Sequence, residues 1–340
     1  MNIYRPIDSI RGIFSLLIVW HHLCPLFDIP YKYNYGNTIV LFFFMLSGFH
    51  ITLTWKDKID GHSKDFIIKR CAKIFPIQWV MTFLFVLFGI NIVSLWAIPF
   101  HLTLTQGLNP LWQVNFTLNV PSWFLSSLFV CYLFTPVLLR CFNRNTKLMS
   151  VLLMLAIVLF TAFLYFLPDS IGRRWIAYLN PFYRLMDYSV GMVLGIYWNN
   201  LFGFIDKKLN IRNLLCTLIE FVSFVFVFFF MMYAPVFKLN SYSVIFYPFI
   251  LLFIIAFTYS NGYMSRLLSN KYLYKLGILS MSIYMSHYLI LELFKGVDLS
   301  LIYKIPASYI IIFLFSFFIY KLMPYMSLKF IVTCNRMFGK

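Results

Sequence analysis

Negative charge is scarce in this chain: 11 Asp and Glu stand against 28 Lys and Arg in 340 residues, and only 11% of the residues are charged at all. With 61% hydrophobic residues and a mean hydropathy of +0.81, that scarcity excludes a soluble globular protein, because no soluble core absorbs so much apolar surface. The six cysteines, Cys24, Cys71, Cys131, Cys141, Cys216 and Cys334, lack a paired spacing and fall mostly in apolar runs, so neither disulfides nor a metal site is expected. No polar or low-complexity stretch longer than about 20 residues breaks the chain, which leaves room for one membrane domain over 1–340 and no soluble appendage. Nothing repeats at a fixed period. The first apolar run lacks a small-residue cleavage motif and carries two histidines, so it reads as a retained helix and not as a signal peptide.

What fills the chain instead is a series of apolar runs, at roughly 13–31, 37–55, 74–94, 121–139, 149–167, 181–199, 213–234, 243–262, 276–294 and 305–324. The expected fold is all-α: a polytopic membrane protein of about ten transmembrane helices, surrounded by membrane lipid. Placing both termini in the cytoplasm puts 21 Lys and Arg on inner segments and 7 on outer ones, as the positive-inside rule requires. The net charge of +17 therefore reports sidedness and needs no nucleic-acid partner, although a phosphate-bearing cytosolic ligand is drawn to that face. The longest outer connection, roughly 95–120, contains Trp96, Pro99, His101, Pro110 and Trp112 and reads as a re-entrant or interfacial segment.

Arg11 and His22 are eleven residues apart in the first run. At ~100° and 1.5 Å per residue they share a helix face, ~16 Å apart along the axis. If Arg11 marks the membrane surface, His22 lies near the middle of the ~30 Å hydrocarbon core, where an imidazole is costly unless it faces protein or a wet cavity. His21 points ~100° away and reads as a packing neighbour. Asp8 and Arg11, three apart, can pair as the helix opens. Taken alone, Arg11 also fits a snorkelling anchor.

Other polar positions recur at helical spacing. On the second run Ser47 and Gly48 place a small polar pair near the depth of His22; Gly48 permits close helix approach, and Ser47 either lines a cavity or belongs to a packing notch. In the basic stretch 56–73, Arg70 and Lys73 share a face just before Pro76, which suits a helix start; with the free N–H groups there they form a phosphate site, or else an ordinary positive-inside cluster. On the sixth run Arg184 and Asp187 are an i, i+3 pair at the outer end, followed by Gly191 and Gly195. On the ninth, Ser280, Tyr284 and His287 share a face, and His287 reaches ~16 Å as well.

These blocks resemble the membrane-bound acyltransferase 3 family, the O-acyltransferases of bacterial surface and exported glycans. The matching pieces are Asp8-x-x-Arg11-Gly12 with His22, Phe43-x-Met45-Leu46-Ser47-Gly48-Phe49, Arg70-x-x-Lys73-Ile74-x-Pro76, Trp123-x-Leu125-Ser126 through Tyr132 to Pro136, Arg184-x-x-Asp187-Tyr188-x-x-Gly191, and Ser280-x-Ser282-x-Tyr284-x-x-His287. The resemblance implies an acyl-coenzyme A donor, usually acetyl-coenzyme A, reached from the cytosol and used as a substrate with no tightly bound cofactor. It implies an acceptor hydroxyl on a glycan or lipid-linked saccharide, and a home in the bacterial plasma membrane. It makes Arg11 and His22 the residues tied to activity. Two departures stand out. Lys73 replaces the second of a pair of arginines, keeping the charge but losing bidentate phosphate geometry, and Leu128 stands where many members carry an acid. The longer members' extra esterase-like domain is not expected here.

Acyl transfer needs a base for the attacking O–H and a means of positioning the thioester. Arg11, Arg70, Lys73 and Ser47 are the expected donor-side residues, and His22 the base or the acyl carrier. Trp123, Arg184, Asp187, Tyr284 and His287, with the outer loop near Trp112, are the expected acceptor side or its support. The competing reading is a secondary transporter, in which His22, His287, Glu220 and Glu292 form a midplane path; the halves of the chain lack the symmetry such a transporter is expected to show.

Overall fold

The computed structural model describes residues 4–30, 35–168, 171–206, 213–233 and 243–337. Among these residues there is no strand. Ten apolar helices account for the expected runs: α1 (Arg5–Leu26), α2 (Gly36–Trp55), α3 (Ser63–Leu87), α4 (Trp123–Arg144), α5 (Thr146–Phe166), α6 (Pro181–Phe204), α7 (Asn213–Tyr233), α8 (Tyr247–Tyr259), α9 (Lys271–Lys295) and α10 (Leu301–Met337).

Eight candidate spans are long and apolar enough to cross a membrane, those built on α1 to α5, α7, α9 and α10. The α8 helix is apolar but has only 13 residues. The α6 helix has 24 residues but stays outside that set, because Arg184, Asp187 and the closing Asn199-Asn200 pair dilute its apolar content. Its cover comes from protein, since its inner face is packed along α2. By contrast α5 and α7 leave most of their apolar surface uncovered, which suits contact with lipid tails.

Two helix boundaries differ from expectation. The α1 helix starts at Arg5, with Pro6 in its first turn, so Arg11 sits inside the helix and does not open it. The α3 helix starts at Ser63, so Arg70 and Lys73 project from its interior and no free N–H groups of a helix start lie beside them. Pro76 is likewise internal. It removes the hydrogen bond that Ala72 O would accept within the helix, and the Ser327 hydroxyl of α10 donates to that carbonyl at 2.7 Å. Apolar content marks what enters the membrane; the helical hydrogen-bond ladder continues past it into polar sequence.

Two close crossings organise the bundle. Between α2 and α6, a Cβ on Gly48 would lie 2.0 Å from Tyr188 O and one on Gly191 1.9 Å from Met45 O, so the backbones touch reciprocally where both residues lack a side chain. Between α1 and α9, a Cβ on Gly277 would meet Asp8 O at 2.0 Å and one on Gly12 would meet Gly277 N at 2.7 Å. These two helices run in the same direction, with Arg11 near Ser280 and His22 beside His287.

The connection from α3 to α4 is a chain of short helical turns anchored on its neighbours. Trp79 donates to Leu102 O at 2.8 Å, Ser126 to Leu104 O at 2.8 Å, and the Asn119 amide to Met285 O at 3.0 Å. His101, Gln106, Asn115, Thr117 and Asn119 are buried within it, while Trp96 and Trp112 stay exposed. It covers the end of the bundle opposite Arg11.

Candidate active site between α1 and α9

The shared stripe of Arg11 and His22 turns toward α9. Arg11 donates to Asp8 Oδ1 at 2.9 Å and reaches the Ser280 hydroxyl at 3.5 Å. Further along, the His22 ring lies 5.3 Å from that of His287 and 5.6 Å, edge to face, from that of Tyr288. Ser15 and Ile18, between Arg11 and His22 on the same stripe, are buried. His22 itself is half-buried and makes no hydrogen bond among the described residues. His21 turns instead toward α2: its ring is 5.6 Å from that of Tyr35, and a Cβ on Gly36 would lie 3.0 Å from its Nε2.

His287 is fully buried. With the Nδ1 proton assigned from its 3.1 Å bond to Ile283 O, one turn back, Nε2 becomes an acceptor, and it has no partner. Tyr284 fixes this helix by donating to Pro121 O at 3.0 Å. The expected face of Ser280, Tyr284 and His287 is thus divided between Arg11, the α3–α4 connection and His22.

At the basic end α1 and α3 bring cations together, with His50 of α2 beside them. The charges of Arg11 and Arg70 both act on His50 and on Lys73. Arg70 packs its guanidinium 5.5 Å from the centre of Phe66 and 5.8 Å from that of Tyr132, and its Nε is buried without a hydrogen-bond partner. Lys73 is exposed. On α2, Phe43, Ser47, His50 and Thr54 form a half-buried stripe among buried neighbours, and the Ser47 hydroxyl makes no hydrogen bond among the described residues. His50 Nε2 is buried and unpartnered. The sequence alone gives His50 no role, since one imidazole near a helix end carries no signal of its own.

The Arg184 and Asp187 pair is placed differently. Arg184 donates to Asp187 Oδ2 at 2.5 Å, to Tyr178 O at 2.8 Å and to Ala177 O at 3.0 Å, and Tyr247 donates to Asp187 Oδ1 at 2.5 Å. Both are buried, so their polar atoms are spent on the protein. Trp123 packs on Tyr178 at 4.7 Å, joining the same network. Leu128 is buried.

Glu220 is also committed elsewhere. It accepts from Gly262 N at 3.0 Å, Ser265 N at 3.2 Å and Ser265 Oγ at 2.5 Å, capping the short helix Tyr263–Leu268. That helix packs beside the first turns of α1, where Ser9 donates to Leu268 O at 2.6 Å. Glu220 therefore lies toward the Arg11 end and away from the two midplane imidazoles, which removes it from a transporter-like path. Among the described residues no group of three or more His, Cys, Asp or Glu side chains is set to hold a metal ion.

A bundle of apolar helices with a cationic cluster at one end and a pair of imidazoles about three turns inside it is the build of an integral membrane protein with a polar interior site. The chain belongs to the acyltransferase 3 family: the acyltransferase domain matches residues 5–323, nearly all of it. It is a membrane acyltransferase by that membership. No curated protein and no solved structure matches the chain significantly.

Proposed function

We propose that this protein moves an acyl group, acetyl in the first instance, from coenzyme A to a hydroxyl of a cell-surface or exported glycan or its lipid-linked precursor. The observation that carries this reading is one helix with a guanidinium at its cationic end and, on the same stripe, a half-buried imidazole against a second imidazole. Its setting is the bacterial plasma membrane, with 1–340 as one enzymatic unit and the donor as a substrate.

Arg11, Arg70 and Lys73 offer the donor's phosphates positive charge from two helices, and the loosely packed stripe of His50, Ser47 and Phe43 offers the pantetheine arm a wall to follow. His22 takes the proton of the acceptor hydroxyl as its oxygen attacks the thioester carbonyl carbon. The new C–O bond forms, the C–S bond breaks, and the imidazolium returns its proton to the departing thiolate. Trp123, Tyr284, Arg184 and Asp187 support this site by holding α4, α6 and α9 in place.

The test is transfer from radiolabelled acetyl-coenzyme A by purified protein in liposomes, together with mass spectrometry of surface glycans from cells with and without the gene. A gain of one acetyl unit that disappears with His22→Ala supports the reading. Full transfer by a well-folded His22→Ala variant refutes it.

A further inference from the structure

With Arg184 and Asp187 committed to the protein interior, the acceptor's route to His22 lies elsewhere. The candidate is the half-buried end of α9. Tyr288 touches the His22 ring at 5.6 Å and is half-buried itself. Glu292, four residues on and therefore on the same face, is half-buried and close enough for its charge to act on the Tyr288 phenol. Beyond it, Lys295 and Gly296 are exposed and the helix ends. A line of polar side chains thus leads from His22 to the bundle end opposite Arg11.

Two further observations bear on what this line admits. His287 Nε2 and Asn119 Oδ1 are buried acceptors with no donor, on α9 and on the connection that donates to Met285 O. A buried acceptor left unpaired is costly, and a ligand O–H supplies what it lacks. The deeply buried carboxylates Asp187 and Glu220 have their oxygens occupied, whereas Glu292 is only half-buried. An accessible carboxylate beside a phenol binds vicinal hydroxyls well, since each sugar O–H donates to it.

We propose that Tyr288 and Glu292 line the entrance through which a polyhydroxylated acceptor reaches His22 from the face opposite the cationic cluster, Glu292 holding hydroxyls of the acceptor as a specificity residue. This deepens the acyltransferase reading and rests on it for the acceptor, while the entrance is testable alone.

Two measurements separate the claims. In liposomes, Tyr288→Cys and Glu292→Cys are labelled with a membrane-impermeant maleimide against the background of the unsubstituted protein, with Lys69→Cys marking the cationic face. Labelling from the face opposite Lys69→Cys is expected, and its absence overturns the entrance whatever the activity. With methyl glycosides of common hexoses as acceptors and acetyl-coenzyme A as donor, Glu292→Gln is expected to raise the acceptor KM at least ten-fold, with the donor KM changed less than two-fold, and Glu292→Asp to recover part of the loss. An unchanged acceptor KM, or equal losses toward both substrates, overturns the role of Glu292. Intact labelling with no transfer by the unsubstituted protein sinks the enzymatic reading and leaves the entrance standing.

Discussion

The His22 ring of α1 lies 5.3 Å from the His287 ring of α9, deep in an apolar bundle. One imidazole is fully buried with an unpartnered nitrogen, and the other is half-buried with no hydrogen bond among the described residues. Polar groups left idle at such depth are the expected state of a site whose partners arrive with substrate.

A general base at this position contributes ~10²–10⁴-fold to rate. His22→Ala is expected to lose transfer by that factor at unchanged expression and unfolding temperature. His287→Ala, one ring away, is expected to lose less. The reverse order in single-turnover rates would move the base to α9.

Lys73→Gln removes one of the clustered cations while leaving the buried core alone. The donor KM is expected to rise about ten-fold, the equivalent of ~1.4 kcal/mol. Lys73→Arg is expected to hold or lower it, and the salt dependence of donor binding is expected to weaken in Lys73→Gln. Isothermal titration with coenzyme A at two ionic strengths reads both.

Arg184→Met takes the guanidinium away from Asp187 and leaves that buried carboxylate without its opposing charge. Breaking such a pair costs ~3–5 kcal/mol, whereas replacing both partners by apolar residues is far milder. Thermal unfolding in detergent is expected to drop steeply for Arg184→Met and to recover in Arg184→Met with Asp187→Leu. A contact residue for the acceptor would instead change KM at constant stability.

Gly191→Leu drives a side chain into Met45 O, which lies 1.9 Å from where its Cβ must go, while Gly203 has open space around the equivalent position. Overpacking of this kind costs ~1–3 kcal/mol or more. Gly191→Leu is expected to reduce the folded, monodisperse yield, and Gly203→Leu to leave it unchanged. Size-exclusion profiles of the two variants suffice.

Burial lowers His101, in the α3–α4 connection, to about 4, against the opposing pull of its 2.8 Å bond to Val114 O. The unfolded chain binds a proton at this residue near pH 6.5 and the folded one only near 4, so this contribution to stability is whole above pH 6.5 and is lost as the pH falls toward 4. Hydrogen exchange in residues 95–120 is expected to quicken over that window. The slope is expected to flatten in His101→Gln.

Much of this was legible in the residues. Apolar runs of spanning length overlap each of the ten apolar helices described, though α3 begins at Ser63 where its run begins at 74, and the eleven-residue spacing put Arg11 and His22 on one stripe. Spacing along one helix is a local property, set by the backbone ladder, and needs no knowledge of neighbours. What spacing left open has a common origin. Arg184 and Asp187 fitted either the acceptor side or its support, because an i, i+3 pair looks the same at a surface as inside a clamp; the partners that spend their polar atoms, Tyr178, Ala177 and Tyr247, come from the preceding turn and from α8, 60 residues away in the case of Tyr247. Arg70 and Lys73 read as a helix start because Pro76 favours one, and the hydroxyl that compensates for Pro76 inside α3 belongs to Ser327 on α10.

By itself, then, the chain's composition and periodicity determined a membrane-embedded helical protein, the positions of its helices, and the side chains presented on each face. Which faces meet was decided only by the tertiary structure, because close crossings at Gly48 with Gly191 and at Gly12 with Gly277 join helices well separated along the chain. The second of these crossings joins α1 to α9 and brings His22 to His287 and Tyr288; both follow from backbone contact between distant segments, which no local pattern encodes.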